Sequence, residues 1–297
     1  MLQVAHDPHI SVLLLGESGT GKERIAQAIH RASSRRDAPF VVIDCAGLSP
    51  SLAEDALFGH VRGAFTGAVE ERAGPFERAN GGTVLLDEVG DLGPDLQIKL
   101  LRAVQSRVVQ RLGGRSETAF DVRIIAATNV DLTAAVARGR FREDLYYRLN
   151  VYRIDVPPLR RRGADDIRLL ATAILQRLSI RRHRAPPLLD DELSTTLTEW
   201  KWPGNVRELE NVLERILVAA SGCDRLTNRH LPDDFGRHAE WKGTKLHAAA
   251  PSSVRVLEAL ERNQFRAART AADLGLSRHQ LYRLVRRHGI RRPGGVR

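Results

Sequence analysis

The sequence feature that most constrains the fold is a glycine-rich turn that directly follows an apolar run. Residues 11–15 are mostly aliphatic, and the string G-E-S-G-T-G-K then extends from Gly16 to Lys22 and leads into a helical pattern at residues 24–32. Glycines let the backbone curl until amide N–H groups and a helix N-terminus face phosphate oxygens, whose charge Lys22 neutralises. A plain glycine-rich turn is the alternative, but the order strand, loop, helix favours a phosphate-binding loop. The residues expected to bind nucleotide phosphates are Gly16, Glu17, Ser18, Gly19, Thr20, Gly21, Lys22 and Glu23.

Short apolar runs elsewhere in the chain indicate a sheet. Helical patterns separate most of these runs, and alternation of this kind predicts an α/β domain with a mainly parallel sheet covered by helices. The runs lie at residues 11–15, 40–43, 84–86, 122–126 and 151–156.

The strand signals stop after Pro157 and Pro158. Amphipathic segments at residues 165–179, 190–199 and 204–220 predict a small helical subdomain, and the following stretch loses apolar periodicity as linkers do. The predicted organisation is an α/β nucleotide-binding subdomain at 1–157, a helical lid at 158–235, a linker at 236–252 and a small all-helical domain at 253–297.

Paired acids, Asp87 and Glu88, follow the third apolar run. An apolar strand that ends in Asp-Glu is the Walker B arrangement, in which the aspartate holds Mg²⁺ and the glutamate polarises the attacking water. Without a phosphate-binding loop upstream, such a pair is more often a solvated turn. Glu23 stands where P-loop proteins usually place the Ser or Thr that ligates Mg²⁺, so Asp87 is the expected metal ligand. The predicted cofactors are ATP and Mg²⁺.

The net charge of +10 is unevenly distributed along the 297 residues. Residues 251–297 hold eleven arginines against three acids, so this segment supplies about +8 of the excess. A basic block is usually a solvated face, but its confinement to one small helical module points to polyanion binding.

Other features argue against membrane and disulfide-rich classes. The apolar run at residues 10–15 is too short to span a bilayer, and no signal-peptide pattern surrounds it, so a cytoplasmic protein without a membrane partner is expected. Cys45 and Cys223 are the two cysteines, which excludes a disulfide framework and a C-x-x-C zinc pair. Both are expected to be ordinary buried thiols.

The stretch from Gly16 to about Ala220 resembles the central AAA+ domain of sigma-54-dependent transcriptional activators, the NtrC family. Its most diagnostic string is G-A-F-T-G-A, which lies within E-D-A-L-F-G-H-V-R-G-A-F-T-G-A. In that family the string forms an exposed loop that contacts the sigma factor. By spacing alone it would instead be a surface turn with one buried aromatic. The resemblance implies a sigma-contact role for Gly63, Ala64, Phe65, Thr66, Gly67 and Ala68.

The resemblance also implies roles for residues around the nucleotide. Asn129, in A-A-T-N, matches the sensor I residue that reports on the γ-phosphate, although Asn at such a place is usually a cap. Arg207, in W-P-G-N-V-R-E-L-E-N, matches the sensor II arginine of the lid and would otherwise be a helix-surface charge. Asp44 stands where the family often has an Asn that restrains the catalytic glutamate, and an ionised Asp cannot donate the hydrogen bond that Asn can.

Two further arginines match residues that the family supplies from a neighbouring subunit. Arg142 and Arg148, in F-R-E-D-L-Y-Y-R-L-N-V, would stabilise the charge that spreads over the phosphoryl group in the transition state. The alternative is an ion pair with Glu143 or Asp144, which lie close in sequence. The shared site implies a homo-oligomeric ring, expected to be a hexamer.

Residues 253–292 predict three helices with helix-turn-helix geometry, in which Gly275 supplies the turn and Ser277 caps the next helix. The string resembles the Fis-type module of the same family, whose second helix enters the major groove of double-stranded DNA. A bare helical hairpin with basic faces is the alternative. The residues that the resemblance places on bases or phosphates are Arg278, His279, Gln280, Arg283, Arg286 and Arg287.

The combination of motifs predicts an enhancer-binding activator that hydrolyses ATP in a ring and uses Phe65 and Thr66 to act on sigma-54 RNA polymerase. One rival is a DNA-binding repressor or co-regulator with a degenerate ATPase. The residues that argue against it are the intact Lys22, Asp87, Glu88 and Arg148. Another is an AAA+ motor that acts on proteins or in DNA replication. That rival does not explain G-A-F-T-G-A together with the basic C-terminal segment.

Overall fold

The computed structural model describes residues 4–5, 7–46, 50–236, 253–263, 270 and 273–274. The chain divides into two compact units, Met1–Gly236 and Arg237–Arg297. In the second unit, helix α10 comprises Ser253–Arg262. Apart from Gly236, the predicted linker lies outside the described residues.

A five-stranded parallel sheet forms the centre of the first unit, as the alternating pattern predicts. The five strands are β1 (Val12–Leu15), β2 (Phe40–Asp44), β5 (Thr83–Asp87), β8 (Arg123–Thr128) and β9 (Tyr152–Asp155). Their order across the sheet is β2, β5, β8, β1, β9, so β1 lies inside the sheet, between β8 and β9. The predicted parallel sheet is therefore confirmed.

Successive side chains of a strand point to opposite faces of the sheet, so apolar side chains lie on both faces, and helices cover each of them. Val12 and Leu14 pack with the helix that follows the glycine-rich turn, while Leu13 lies in the apolar core on the other face. All six residues of β8 are buried, as expected for a central parallel strand. The helices of this subdomain are α1 (Lys22–Arg31), α2 (Pro50–Phe58), α3 (Pro75–Arg78), α4 (Pro94–Ser106), α5 (Leu132–Ala137) and α6 (Glu143–Leu149).

The predicted helical lid is also confirmed. Helices α7 (Ala164–Arg181), α8 (Asp191–Glu199) and α9 (Asn205–Ala219) share an apolar core of their own. Trp202 is fully buried in that core, and its indole N–H donates to the carbonyl of Leu197 at 2.8 Å. The lid also contains a short strand pair that the sequence did not predict, β10 (Leu188–Leu189) and β11 (Arg225–Leu226).

Two antiparallel strand pairs that the sequence did not predict project from the α/β subdomain. Strand β3 (Gly59–His60) pairs with β4 (Arg72–Ala73), and the segment between them carries the G-A-F-T-G-A string. Strands β6 (Val108–Gln110) and β7 (Glu117–Ala119) form the second pair. The two pairs are joined because the carbonyl of Gly59 accepts the N–H of Leu112 at 2.9 Å. Strands of two or three residues are too short for an alternating pattern to reveal them.

The two cysteines differ in environment. Cys45 is buried, as expected, and burial raises the pKa of its thiol. The prediction for Cys223 was wrong, because this residue is exposed in the turn that follows α9. Among the described residues, no helix has the length and apolar character needed to cross a membrane.

We expect Phe76→Ala to lower the free energy of unfolding by about 3–5 kcal/mol, the cost of a large cavity in a close-packed core. Phe76 is fully buried, with its ring centroid 6.2 Å from that of Phe58 and 5.0 Å from that of Phe120. Urea unfolding followed by circular dichroism measures the loss. Phe65→Ala is the matched control, because Phe65 is 37% exposed and its removal leaves no buried cavity. Equal losses in the two variants would contradict this assignment of the core.

Candidate functional site

The loop after β1 has the geometry of a phosphate-binding site. Gly19 and Gly21 adopt φ angles of +77° and +92°, a left-handed conformation that residues with a side chain rarely adopt. Lys22 begins helix α1 and is only 6% exposed. Its ammonium group donates to the carbonyl of Gly16 at 3.0 Å and lies 3.4 Å from Glu88 Oε1. The predicted lysine and the predicted catalytic glutamate are therefore in contact.

The acid pair lies at the carboxyl end of β5, beside the loop. Burial raises the pKa of Asp87, and the negative charge of Glu88 raises it further, while Lys22 opposes both effects. Glu88 itself has a left-handed backbone, with φ at 50°, which is uncommon for a residue with a side chain. Its N–H donates to Asp87 Oδ1 at 3.1 Å. A half-buried carboxylate next to a second acid is stabilised by a nearby cation.

The carboxylate of Glu88 is held by two groups from other elements. Oε1 faces Lys22, and Oε2 accepts the backbone N–H of Asn129 at 3.0 Å. Asn129 follows β8, so the predicted sensor residue does lie beside the predicted catalytic residue, but its main chain makes the contact. Asp44 instead accepts the N–H of Ala46 at 2.9 Å and is exposed. The structure thus places Asp44 next to the acid pair in the sheet without a hydrogen bond to Glu88.

The oxygen groups near Lys22 fit a magnesium ion that the nucleotide helps to hold. The hydroxyl of Thr20 donates to the carbonyl of Glu17 at 2.8 Å, and Glu23 accepts from Gln27 at 3.0 Å. These bonds leave lone pairs on both oxygens, but Thr20 is buried and Glu23 is held toward Gln27, so the half-buried Asp87 in the cleft is the best-placed carboxylate. Within the described part of the chain, no group of three or more metal-ligating side chains converges. Mg²⁺ commonly takes one or two carboxylates and fills its remaining positions with phosphates and water, and this site suits that arrangement.

The lid contacts the phosphate-binding loop through the start of α9. The carbonyl of Gly19 accepts the N–H groups of Val206 and Arg207 at 2.9 and 3.3 Å. The guanidinium of Arg207 donates to the hydroxyl of Ser18 at 3.1 Å. The predicted sensor II residue therefore lies at the loop, and a side chain at position 19 would collide with Gly204.

Three lid residues that sequence reasoning missed also bind this loop. Arg160 forms a two-pronged ion pair with Glu17, at 2.7 and 2.5 Å, and this contact lowers the pKa of Glu17. Arg162 donates to the carbonyl of Thr20 at 3.0 Å. Asn205 is fully buried, and its amide donates to the carbonyl of Ser18 at 3.0 Å. For Arg160 and Arg162, the available signal was the run of three arginines that follows Leu159, just after the paired prolines.

Beside these contacts, a cleft of about 490 Å³ lies between the loop and the lid helices. The loop, Lys22, Asp87 and Glu88 form its polar side. An ion pair between Arg177 and Glu210 lies on the lid side at 2.5 Å. Arg207 also lines the lid side, and the apolar part of that wall consists of Leu170, Ala173, Ile174 and Val206. A polar end for phosphates and an apolar wall for a base are what a nucleotide requires.

The two arginines predicted to serve a neighbouring subunit, Arg142 just before helix α6 and Arg148 within it, do not line this cleft. Arg142 forms a two-pronged ion pair with Asp144, at 3.0 and 2.7 Å, which is the alternative that its sequence neighbours suggested. Arg148 is exposed in the last turn of α6 and forms no ion pair among the described residues. The two arginines therefore differ in how readily they could serve another subunit.

The G-A-F-T-G-A segment forms a tight loop, as predicted. Gly63 donates to the carbonyl of Ala68 at 2.8 Å, and Ala68 donates to the carbonyl of Phe65 at 3.0 Å. Gly63 and Gly67 have φ angles of +80° and +105°. Phe65 is 37% exposed, so the alternative of a turn around a buried aromatic is not what the fold contains. Thr66 is exposed beside it.

The predicted DNA-contacting residues Arg278, His279, Gln280, Arg283, Arg286 and Arg287 lie outside the described residues.

Comparison with known proteins agrees with this geometry. Residues 1–155 match the family described as the Sigma-54 interaction domain, and residues 160–247 match the AAA+ ATPase lid domain. Regulatory protein AtoC of Escherichia coli (strain K12) is 46% identical over 293 residues, which cover 94% of this chain and 63% of that protein. Transcriptional regulatory protein ZraR of the same organism is 51% identical over 222 residues, which cover 75% of this chain and 50% of that protein.

A solved structure gives a further comparison. The crystal structure of NtrX from Brucella abortus in complex with ATP has a TM-score of 0.70 and 32% sequence identity, and the match covers 97% of this chain and 66% of that chain. This chain therefore spans about half to two thirds of the length of these relatives.

We expect Lys22→Ala to weaken ATP binding by roughly 10- to 150-fold, because a charged hydrogen bond contributes about 1.5–3 kcal/mol. The change also removes the cation that faces Glu88. Titration with a fluorescent ATP analogue measures the affinity. Lys99→Ala is the control, since Lys99 pairs with Glu54 away from the cleft. Tight ATP binding by the Lys22 variant would refute the assignment of the loop.

Proposed function

Because the chain belongs to the family of sigma-54 interaction domains, we propose that it is the ATP-hydrolysing part of a transcriptional activator that remodels sigma-54 RNA polymerase. The observation that carries this proposal is the exposed loop around Phe65, which stands on the same subdomain as the phosphate-binding loop and the acid pair of the nucleotide cleft. The relatives AtoC and ZraR are named as regulatory proteins, which supports a role in transcription. Such a regulator works in the cytoplasm.

The residues of the cleft supply the chemistry of hydrolysis. Lys22 neutralises phosphate oxygens, and Glu88 accepts a proton from the water that attacks the terminal phosphorus. Bound phosphate competes for the ammonium group that now lies 3.4 Å from Glu88, so nucleotide binding loosens one of the two contacts that hold this carboxylate. Mg²⁺, held by Asp87 and the phosphates, would neutralise charge that develops during the transfer.

Neighbouring subunits complete the site in this proposal. A transition state that spreads negative charge over the phosphoryl oxygens needs further cations, and an arginine from outside the subunit is a common source. Arg148 suits this role because its side chain is exposed and has no ion pair among the described residues. Arg142 would first have to leave Asp144. A closed ring of six subunits would give every cleft the same arginine donor.

The basic C-terminal segment supports a DNA-binding role. Its eleven arginines against three acids suit a polyanion, and the Fis-type resemblance assigns Arg278, His279, Gln280 and Arg283 to base or phosphate contacts. Arg286 and Arg287 are proposed as phosphate contacts. Binding to upstream double-stranded DNA would raise the local concentration of subunits and favour assembly near the promoter.

We expect Thr66→Ala to retain ATP hydrolysis and to lose transcriptional activation, because Thr66 is exposed on the loop and does not line the cleft. Transcription from a sigma-54 promoter with purified polymerase and phosphate release by the same samples give the two readings. Thr172→Ala, an exposed threonine change on lid helix α7, is the control and should retain both activities. Loss of hydrolysis in the Thr66 variant would assign the loop a structural role instead.

Mixing two inactive variants tests the shared site. Arg148→Ala subunits keep an intact cleft, and Lys22→Ala subunits keep the exposed arginine. A mixed assembly should therefore contain some complete interfaces and recover part of the hydrolysis rate. Steady-state ATPase measured across mixing ratios gives the result, with each variant alone as the control. Mixtures that never hydrolyse ATP would argue that Arg148 acts within its own subunit.

A further inference from the structure

His60 lies at the neck of the loop that carries Phe65. It ends strand β3 and pairs across the neck with Arg72 of β4, so residues 61–71 project beyond this pair. His60 is 9% exposed, whereas Phe65, Thr66 and most of the loop beyond it are exposed. A buried histidine at the base of an exposed loop is well placed to control where the loop points.

Both nitrogens of the His60 imidazole have partners, and the partners belong to different segments. Nδ1 lies 2.6 Å from Oδ1 of Asp55 on helix α2. Nε2 lies 2.9 Å from the backbone carbonyl of Glu70, on the returning leg of the loop. The ring therefore joins the outgoing leg, the returning leg and the helix beneath them.

The third contact of His60 is with the loop's exposed aromatic. The ring centroids of His60 and Phe65 are 5.1 Å apart and the planes meet at 68°, an edge-on arrangement that aromatic pairs favour. This contact holds one side of the Phe65 ring while the remainder stays exposed. The histidine thus sets the position of the side chain that the loop presents.

Asp55 extends the connection to the other side of the neck. Its second carboxylate oxygen, Oδ2, lies 3.7 Å from the guanidinium of Arg72. One carboxylate from α2 consequently contacts both residues that face each other across the neck. The Asp55 side chain is only 12% exposed, which limits the water that competes for its contact with His60, whereas the Arg72 side chain is 61% exposed.

A purely structural role is the competing explanation, since most buried histidines are simply hydrogen-bonded core residues. His30 is such a residue, because it is buried and its Nδ1 contacts the hydroxyl of Thr83 within the α/β core. His60 differs because each of its three contacts ends on the loop or on the helix below it. It also lies outside the residues that line the nucleotide cleft.

We propose that His60 is a positioning residue: it fixes the orientation of Phe65 for contact with the polymerase, by linking Asp55 to the carbonyl of Glu70. The proposal rests on the function proposed above for the loop. It adds that hydrogen bonds of His60 hold the loop at its neck. Because Asp55 lies on helix α2, the orientation of the loop then depends on that helix.

Three substitutions at His60 separate its contacts. Glutamine can place an amide N–H near the position of Nε2 and so keep the bond to Glu70. Asparagine is shorter, reaches only toward Asp55, and loses that bond. Phenylalanine keeps an aromatic ring against Phe65 and loses both hydrogen bonds.

Amide hydrogen exchange of a peptide that covers residues 61–70, measured by mass spectrometry, reports on the loop without polymerase. We expect exchange to accelerate roughly tenfold in His60→Asn and His60→Phe, as loss of a buried hydrogen bond implies, and to stay within about threefold of wild type in His60→Gln. The ATPase rate should remain within about twofold of wild type in all three variants. Transcriptional activation should fall more in the Asn and Phe variants, which lose loop protection, than in the Gln variant.

The control is His30→Asn, which removes a buried histidine elsewhere and should leave exchange in residues 61–70 unchanged even if the whole domain becomes less stable. Unchanged loop exchange in His60→Asn, or equal acceleration in the Gln and Asn variants, would overturn the proposal. Should wild-type protein fail to activate sigma-54 polymerase, the proposed function fails, while the exchange measurements still decide whether His60 positions the loop.

Discussion

The buried ammonium group of Lys22 is the contact on which the site depends. It joins the phosphate-binding loop to the acid pair, because it reaches the carbonyl of Gly16 and the carboxylate of Glu88 at once. The parallel sheet makes this possible. The carboxyl ends of parallel strands lie at one edge, so the residues that follow β1, β5 and β8 meet there although they are far apart in sequence.

The lid is attached to the same loop through the carbonyl of Gly19, which accepts two N–H groups from the start of α9. Arg160 and Asn205 strengthen this attachment by binding Glu17 and Ser18. Any nucleotide that reshapes the loop must therefore act on the lid as well, since both share these hydrogen bonds. This gives a physical route from phosphate chemistry to movement of a subdomain, which the proposed remodelling of a partner requires.

The loop that carries Phe65 projects from the paired strands β3 and β4, apart from this chemistry. It contributes no residue to the nucleotide cleft, and the cleft contributes none to it. A separation of this kind lets one surface change without altering hydrolysis. The contacts of His60 with Asp55, Glu70 and Phe65 then become the means by which the fold beneath the loop controls what the loop presents.

The sequence by itself determined the parallel sheet and the helical lid, because these follow from the periodicity of apolar residues. It also determined the phosphate-binding loop and the acid pair, because these follow from the order of neighbouring residues along the chain. It did not reveal that Asn129 holds Glu88 by its backbone, that Arg142 pairs with Asp144 while Arg148 does not, or that Arg160 and Asn205 bind the loop. It also misplaced Cys223 in the core. Such facts depend on distances between segments remote in the chain and on the exposure of each side chain, and only packing in three dimensions decides them.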